Sequence, residues 1–408
     1  MPEPANLSAA AETVLTFLES VGRRSEAEFY LGLFRKLPKQ SFALIVVGSS
    51  AVRQTLGSIA EQLRFLSELG LYAPVILGLF DVARPTAGAD RLAQRLASLG
   101  LLPTRHALSA PDLAERLSDE LRGEKVPILS FDAQAPASVS ERLAAVGELG
   151  RRLDSRKLVV LRRGGGIRPE RRPPGLPLVE LGPGHRVPLR HGAISNVNLR
   201  TDYEPLIARR LLRKDDGELL NQIATLLDQE APRPLLVSVT SPLYLLEELF
   251  TVKGAGTLIK PGTAIDLHPS YAKLDVARLR KLLASSFDRR LKEAFFERPP
   301  LAIYLEQDYR GAAILHASEQ GAYLSKFAVD PEAQGEGIGQ DLWQAMCREH
   351  DSLFWRARPD NPIAGWYAGL ADGLARLADW HVYWRGVSTR AIPAVIEEAL
   401  GRPVDFEA

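Results

Sequence analysis

Five short apolar runs govern what the first part of this 408-residue chain can fold into. They are "ALIVV" (Ala43–Val47), "VILGL" (Val75–Leu79), "VPILS" (Val126–Ser130), "LVVL" (Leu158–Leu161) and "LLVSV" (Leu235–Val239). Helical spacing fills most of the intervals, as in Val52–Leu69 and Ala110–Leu121, and Leu7, Ala11, Val14, Leu15 and Leu18 trace an amphipathic opening helix. Strands apolar on both faces and separated by helices predict an α/β domain, with a mostly parallel sheet covered on both sides.

After Gly262 the pattern changes. A helical segment at Asp275–Leu291 precedes "LAIYLE" (Leu301–Glu306), "GAAILH" (Gly311–His316) and "AYLSKFAV" (Ala322–Val329), joined by short polar turns. Such spacing predicts an antiparallel meander. A chain of this length exceeds one ordinary core, so two domains are expected, 1–266 and 267–408. The stretch Gly164–Arg190, rich in Gly, Pro and Arg, reads as a surface loop or hairpin region. Its "GGG" lacks the Lys-Ser/Thr pair of a phosphate loop.

A formal net charge of +1 with mixed signs offers no electrostatic footprint for nucleic acid or an acidic membrane surface. No apolar run reaches spanning length, and the first residues lack the basic and apolar regions of a signal peptide, so a cytoplasmic protein is expected. The single cysteine, Cys347, excludes a multi-cysteine metal site. It lies in a helical pattern and reads as structural; no metal ligand is expected elsewhere.

The segment "YLSKFAVDPEAQGEGIGQDLW" (Tyr323–Trp343) combines a strand, a glycine turn and a helix. Glycines at such a turn let backbone N–H groups approach a ligand, and the helix N-terminus favours an anion such as a pyrophosphate. Along a regular strand Tyr323, Ser325 and Phe327 face one way, and Leu324, Lys326 and Ala328 the other. A lysine there either meets an anion or snorkels to the sheet edge.

Together with "LFWRARPDNPIAGWY" (Leu353–Tyr367) and "ADGLARLADWHVYWRG" (Ala371–Gly386), this segment resembles the acetyltransferase domain of vertebrate-type N-acetylglutamate synthases. The resemblance implies a GNAT-type α+β fold and N-acetylglutamate synthase activity with acetyl-CoA as co-substrate and no tightly bound cofactor. It places acetyl-CoA along Phe327, Ala328 and Val329 and over Gln334, Gly335, Gly337, Ile338 and Gly339. Lys326 is then expected to pair with a carboxylate of L-glutamate, and Arg356 or Arg358 to clamp the other. Asn361 and Tyr367 take the catalytic positions, orienting substrate and donating to the departing thiolate. Two family positions, an asparagine and a serine, are Ala364 and Ala371 here.

The first 260 residues resemble the amino-acid kinase-like fold of acetylglutamate kinases, through "FLESVGRRSEAEFYLGLFRKL" (Phe17–Leu37), "ISNVNL" (Ile194–Leu199) and "LLEELFTVKGAGTLIKPG" (Leu245–Gly262). Active members carry Lys-x-Gly-Gly after the first strand. Here "IVVGSSAV" keeps Gly48 but has no lysine, with Ser49 at the next glycine, and the second loop keeps only Gly78. Phosphoryl transfer is mainly positioning and charge neutralisation, so a pseudokinase is expected and a bifunctional synthase and kinase is the alternative. The resemblance further implies an L-arginine effector site at Glu248, Gly254 and Gly256, and a homo-oligomer, with a tetramer favoured. A GNAT enzyme for another amine, and an inactive arginine-binding regulator, are the remaining alternatives.

Overall fold

Strand β1 (Leu44–Val47) is buried along its whole length because it lies inside an eight-stranded sheet, with a helical layer on each face. The structure, a computed structural model, describes residues 16, 24–81, 86, 88–132, 138–155, 157–171, 178–182, 185–228, 235–251, 254–333, 337–361 and 363–407. The expected opening helix lies outside them except for Thr16. The chain divides into two compact units, Met1–Leu181 with Arg186–Pro261, and Gly182–His185 with Gly262–Ala408.

In the first unit β1 is followed by β2 (Val75–Leu77), β3 (Leu102–Ala107), β4 (Lys125–Ser130) and β5 (Lys157–Leu161). Next come β6 (Leu178–Gly182), β7 (His185–Arg190), β8 (Ala193–Ile194), β9 (Asn196–Asn198), β10 (Leu236–Thr240) and β11 (Thr257–Lys260). The large sheet runs β3-β4-β2-β1-β5-β10-β11-β9, parallel except where β10 meets β11, and β6, β7 and β8 form a separate small sheet. Alternation along β1 sends Ile45 and Val47 into one core and Leu44 and Val46 into the other. Helix Ser49–Glu68 covers the first face, and helices Val139–Arg152 and Lys214–Leu227 the second. Each of the five apolar runs holds a strand of this sheet. Strand β3 ("LPTRHA") escaped the sequence reading because it is a half-exposed edge strand with little apolar signal.

The second unit contains β12 (Ile265–His268), β13 (Ala302–Glu306), β14 (Gly311–Ser318), β15 (Gly321–Val329), β16 (Leu353–Ala357), β17 (Gly373–Arg376) and β18 (His381–Arg385). Strands β13 to β15 form the expected antiparallel meander, β12 adds an unexpected antiparallel strand beside β13, β15 pairs with β16 in parallel, and β18 and β17 close the sheet. Helix Ile338–Glu349 packs on one face through Ile338, Leu342 and Met346. On the other lie helix Val276–Phe287 and the short helix Ala294–Glu297.

A bulge corrects the expected face assignment along β15. Ile314 pairs with Lys326 but Leu315 pairs with Leu324, which leaves Ser325 as an extra residue. The insertion resets the alternation, so Leu324 and Phe327 both enter the core beneath helix Ile338–Glu349. Ala328 enters the opposite core, where the Lys326 ammonium lies over the Phe295 ring. Leu324 and Lys326 are therefore on opposite faces.

Candidate active site

The glycine turn after β15 leads into helix Ile338–Glu349. Gly337, its N-cap, has φ +80°, a left-handed conformation that favours glycine. Gly339 differs: an added Cβ would meet Phe327 and Val329 at an ordinary 3.6 Å. Packing within the protein does not demand glycine at 339. Gln334 and Gly335 lie outside the described residues.

Beside this turn the sheet opens. Strands β15 and β16 pair only at Ala322–Leu353 and Tyr323–Phe354, after which the register ends. Among the described residues, the edge of β15 from Leu324 to Val329 has β14 on one side and no paired strand on the other. Unpaired backbone amides along an opening of this kind suit an extended ligand carrying amides of its own.

The opposite face holds a buried cluster of charge. Lys326 Nζ lies 2.5 Å from an Asp405 carboxylate oxygen, and their side chains are 6% and 9% exposed. Arg298 pairs with the other oxygen of Asp405. Burial pushes the Lys326 ammonium down to about 8 although Asp405 opposes the shift. Burial acts to raise the Asp405 carboxyl, but Lys326 and Arg298 outweigh it and hold the group below its usual range. The ring of Phe295 lies 4.6 Å from Lys326 Nζ, and that of Phe406 at 5.3 Å. Of the two sequence-derived alternatives, the lysine meets an anion rather than snorkelling. Neither Asp405 nor Arg298 carried a motif or periodic signal, so the sequence reading missed both.

The guanidinium of Arg356 is occupied by backbone. It donates to the carbonyls of Ala399, Leu400, Arg402 and Pro403 and stacks at 4.1 Å on Trp380. In this arrangement it closes the end of helix Ile392–Gly401 instead of offering a free fork to a carboxylate. Arg358 follows the end of β16, is exposed, and lies 4.3 Å from the same Trp380 ring, with a bond to the Asp379 carbonyl. The expected pair of strand arginines is thus one helix clamp and one surface residue.

Tyr367 sits in helix Ala364–Leu370 among Phe327, Trp355, Trp366 and Tyr383. Burial, with Tyr383 nearby, pushes its phenol well above the usual value, so it remains a hydrogen-bond donor at any working pH. The side-chain oxygen of Asn361 accepts from the Ile363 amide at 2.9 Å and shapes the turn before that helix. Tyr367 shares the core of Phe327, the face of the glycine turn, whereas Lys326 is on the other face. Cys347 is partly buried and its thiol is pushed up to about 11 by burial, which suits a packing residue. Among the described residues no group of three His, Cys, Asp or Glu is placed to hold a metal ion.

In the first unit, Gly48 precedes helix Ser49–Glu68 with its N–H on the Leu161 carbonyl, and the Gly78 carbonyl accepts from buried Arg142 at 2.7 Å. The Gly165 and Gly166 carbonyls accept from Arg162 and that of Gly164 from Arg168, and a Cβ on Gly166 would collide with Thr257 at 2.6 Å. This triple glycine is a packing turn. Glu248 is buried and accepts from the Ala255 and Gly256 amides, both at 2.8 Å. Gly254, at φ +58°, leaves no room for a Cβ beside that carboxylate. Elsewhere in the unit, burial pushes the ammonium of Lys157 down, and the charge of Glu248 acts to raise it.

Residues 266–400 match the family described as the N-acetyltransferase of N-acetylglutamate synthase. Mouse mitochondrial N-acetylglutamate synthase is 28% identical over 453 residues, covering 99% of this chain and 82% of its own. An acetylglutamate kinase of Xylella fastidiosa is 29% identical over 415 residues, covering 89% of this chain and 94% of its own. A solved N-acetylglutamate synthase from Neisseria gonorrhoeae, complexed with coenzyme A and N-acetyl-glutamate, aligns with a TM-score of 0.49 and 14% identity over 89% of this chain and 99% of that one. The chain is therefore similar to N-acetylglutamate synthases along nearly its whole length, and residues 266–400 are similar to their acetyltransferase.

Proposed function

We propose that this protein is an N-acetylglutamate synthase, moving the acetyl group of acetyl-CoA to the α-amine of L-glutamate. One observation carries the reading. Where β15 and β16 part, a helix N-terminus with an unforced glycine lies toward one face, and buried cations already holding a carboxylate lie on the other. Acetyl-CoA would enter from the glycine side, its pyrophosphate at Gly337–Gly339 and its pantetheine amides along the open edge of β15. Glutamate would present a carboxylate to Lys326 and Arg298.

The chemistry is then direct transfer. The neutral amine attacks the thioester carbonyl, forming a C–N bond and breaking the C–S bond, while the amine proton passes to solvent or base. Holding the two reactants together lowers the entropic part of the barrier. Tyr367 donates to the departing thiolate, and Asn361, whose oxygen is used in the turn, offers its amide N–H groups to the acceptor.

The kinase-like unit supplies regulation in this account. The buried carboxylate of Glu248 would take a cationic group of L-arginine, its ammonium or its guanidinium. The protein would act as a cytoplasmic homo-oligomer, with a tetramer favoured; no described helix is long and apolar enough to cross a membrane. The similarity to proteins called acetylglutamate kinase favours a second reading, a bifunctional synthase and kinase. The absence of a lysine around Gly48, and the Gly78 carbonyl bound to Arg142, argue against it.

A thiol-release assay with acetyl-CoA and a panel of amino acids tests the proposal, with mass spectrometry of the product. N-acetylglutamate should form fastest. Turnover with a different amine alone would keep the acetyltransferase and discard glutamate, and Ala364 and Ala371 would be the first positions to examine. Formation of ADP from ATP and N-acetylglutamate would restore the bifunctional reading.

A further inference from the structure

The carboxylate that neutralises Lys326 comes from a segment lying at the surface. Residues 402–407 leave helix Ile392–Gly401 and are fastened through side chains as well as backbone: Arg356 donates to the Arg402 and Pro403 carbonyls, and Arg289 to that of Glu407. Asp405 O accepts from the Lys292 amide at 2.8 Å, the Glu407 amide donates to Arg290 O at 2.9 Å, and Leu291 with Phe406 forms a single antiparallel bridge. Pro403 and Val404 are exposed, whereas Asp405 turns its side chain inward onto Lys326 and Arg298. The Phe406 ring rests on Phe287 at 5.0 Å.

We infer that residues 402–407 form a detachable strap whose Asp405 carboxylate occupies the acceptor's carboxylate site, so that acceptor binding requires the strap to leave. The inference rests on the proposal that Lys326 and Arg298 bind the acceptor, and it adds a means of control to that same site. Exclusion is the physical reason. A buried ammonium needs a counter-ion, and Asp405 provides one when no substrate is present. A free acceptor brings the same chemical group, and two carboxylates crowded against one lysine and one arginine repel each other. Being tethered, the strap competes at an effective concentration in the millimolar range or above. The acceptor's apparent affinity is then its intrinsic affinity multiplied by the fraction of molecules with the strap released. Side-chain bonds from Arg289 and Arg356, two backbone bonds and the Phe406 ring fasten the segment, and the strength of these contacts sets that fraction. Anything that loosens or fastens residues 402–407 would move the acceptor KM.

Two measurements on the full-length protein test this. The first is amide hydrogen exchange at Lys292 and Glu407, with and without glutarate, a dicarboxylate that has no amine to acetylate. Glutarate should accelerate exchange at both amides; protection unchanged up to saturating glutarate would overturn the inference. The second is the steady-state acceptor KM of Phe406→Ala, which loosens the strap and leaves Lys326, Arg298 and Asp405 in place. A KM lowered about three- to tenfold with kcat retained is expected from the larger released fraction; an unchanged or raised KM would count against it. Absence of acetyl transfer in the unaltered protein would sink the acetyltransferase reading alone, because the exchange experiment decides on the strap without any turnover.

Discussion

His316 shows how far one residue's chemistry is set by this cluster. It pairs across the sheet with Tyr323, is buried, and has an Nε2 without a hydrogen-bond partner. Burial, followed by Arg298, Lys326 and Arg402, pushes its imidazole down to about 4, against the opposing pull of Asp405. The unfolded group binds its proton near 6.5. Between pH 6.5 and 4 the unfolded chain thus holds a proton that the folded chain lacks. Stability is full above that window and is lost as the pH falls through it, by on the order of 2–3 kcal/mol. His316→Gln should flatten the fall of Tm between pH 7 and 4.5; parallel falls in the two proteins would contradict this. Lys326 was legible in the sequence by its place in an apolar strand, but His316, Arg298 and Asp405 were not. Their significance comes from residues far apart in the chain meeting on one face, and no local pattern encodes that meeting.

At the scale of elements, the glycine turn and the strand bulge behave differently toward sequence. The turn was legible, since several glycines just ahead of an amphipathic helix mark the place where the chain reverses, and the structure separates their roles. Gly337→Ala should lower stability by about 1–2 kcal/mol through its left-handed backbone. Gly339→Ala should leave Tm nearly unchanged, because its Cβ finds ordinary contacts, yet raise the KM for acetyl-CoA. Thermal melts beside acetyl-CoA titrations check both, and loss of stability at Gly339 without a change in KM would mark it as a packing glycine. The bulge at Ser325 was not legible. One residue inserted against β14 sends Leu324 to the face opposite Lys326, and nothing in "YLSKFAV" distinguishes that from regular alternation. Edge strand β3 was missed for the complementary reason: its half-exposed "LPTRHA" lacks the apolar run by which the buried strands announce themselves.

For the whole molecule, the proposed function assigns regulation to one unit and chemistry to the other. Arginine binding is proposed for the first: isothermal titration with L-arginine should give heat that is abolished in Glu248→Gln, and equal heats would remove Glu248 from that site. In the second unit, acetyl-CoA and the acceptor are proposed to approach the opening between β15 and β16 from opposite faces, so their affinities should be separable. Lys326→Ala, followed by steady-state thiol release with each substrate varied in turn, tests this most directly. The glutamate KM should rise by about 30- to 1,000-fold, as expected for a buried charge pair worth roughly 2–4 kcal/mol, while the acetyl-CoA KM stays within about twofold. An unchanged glutamate KM, or a comparable rise for acetyl-CoA, would contradict the two-faced site.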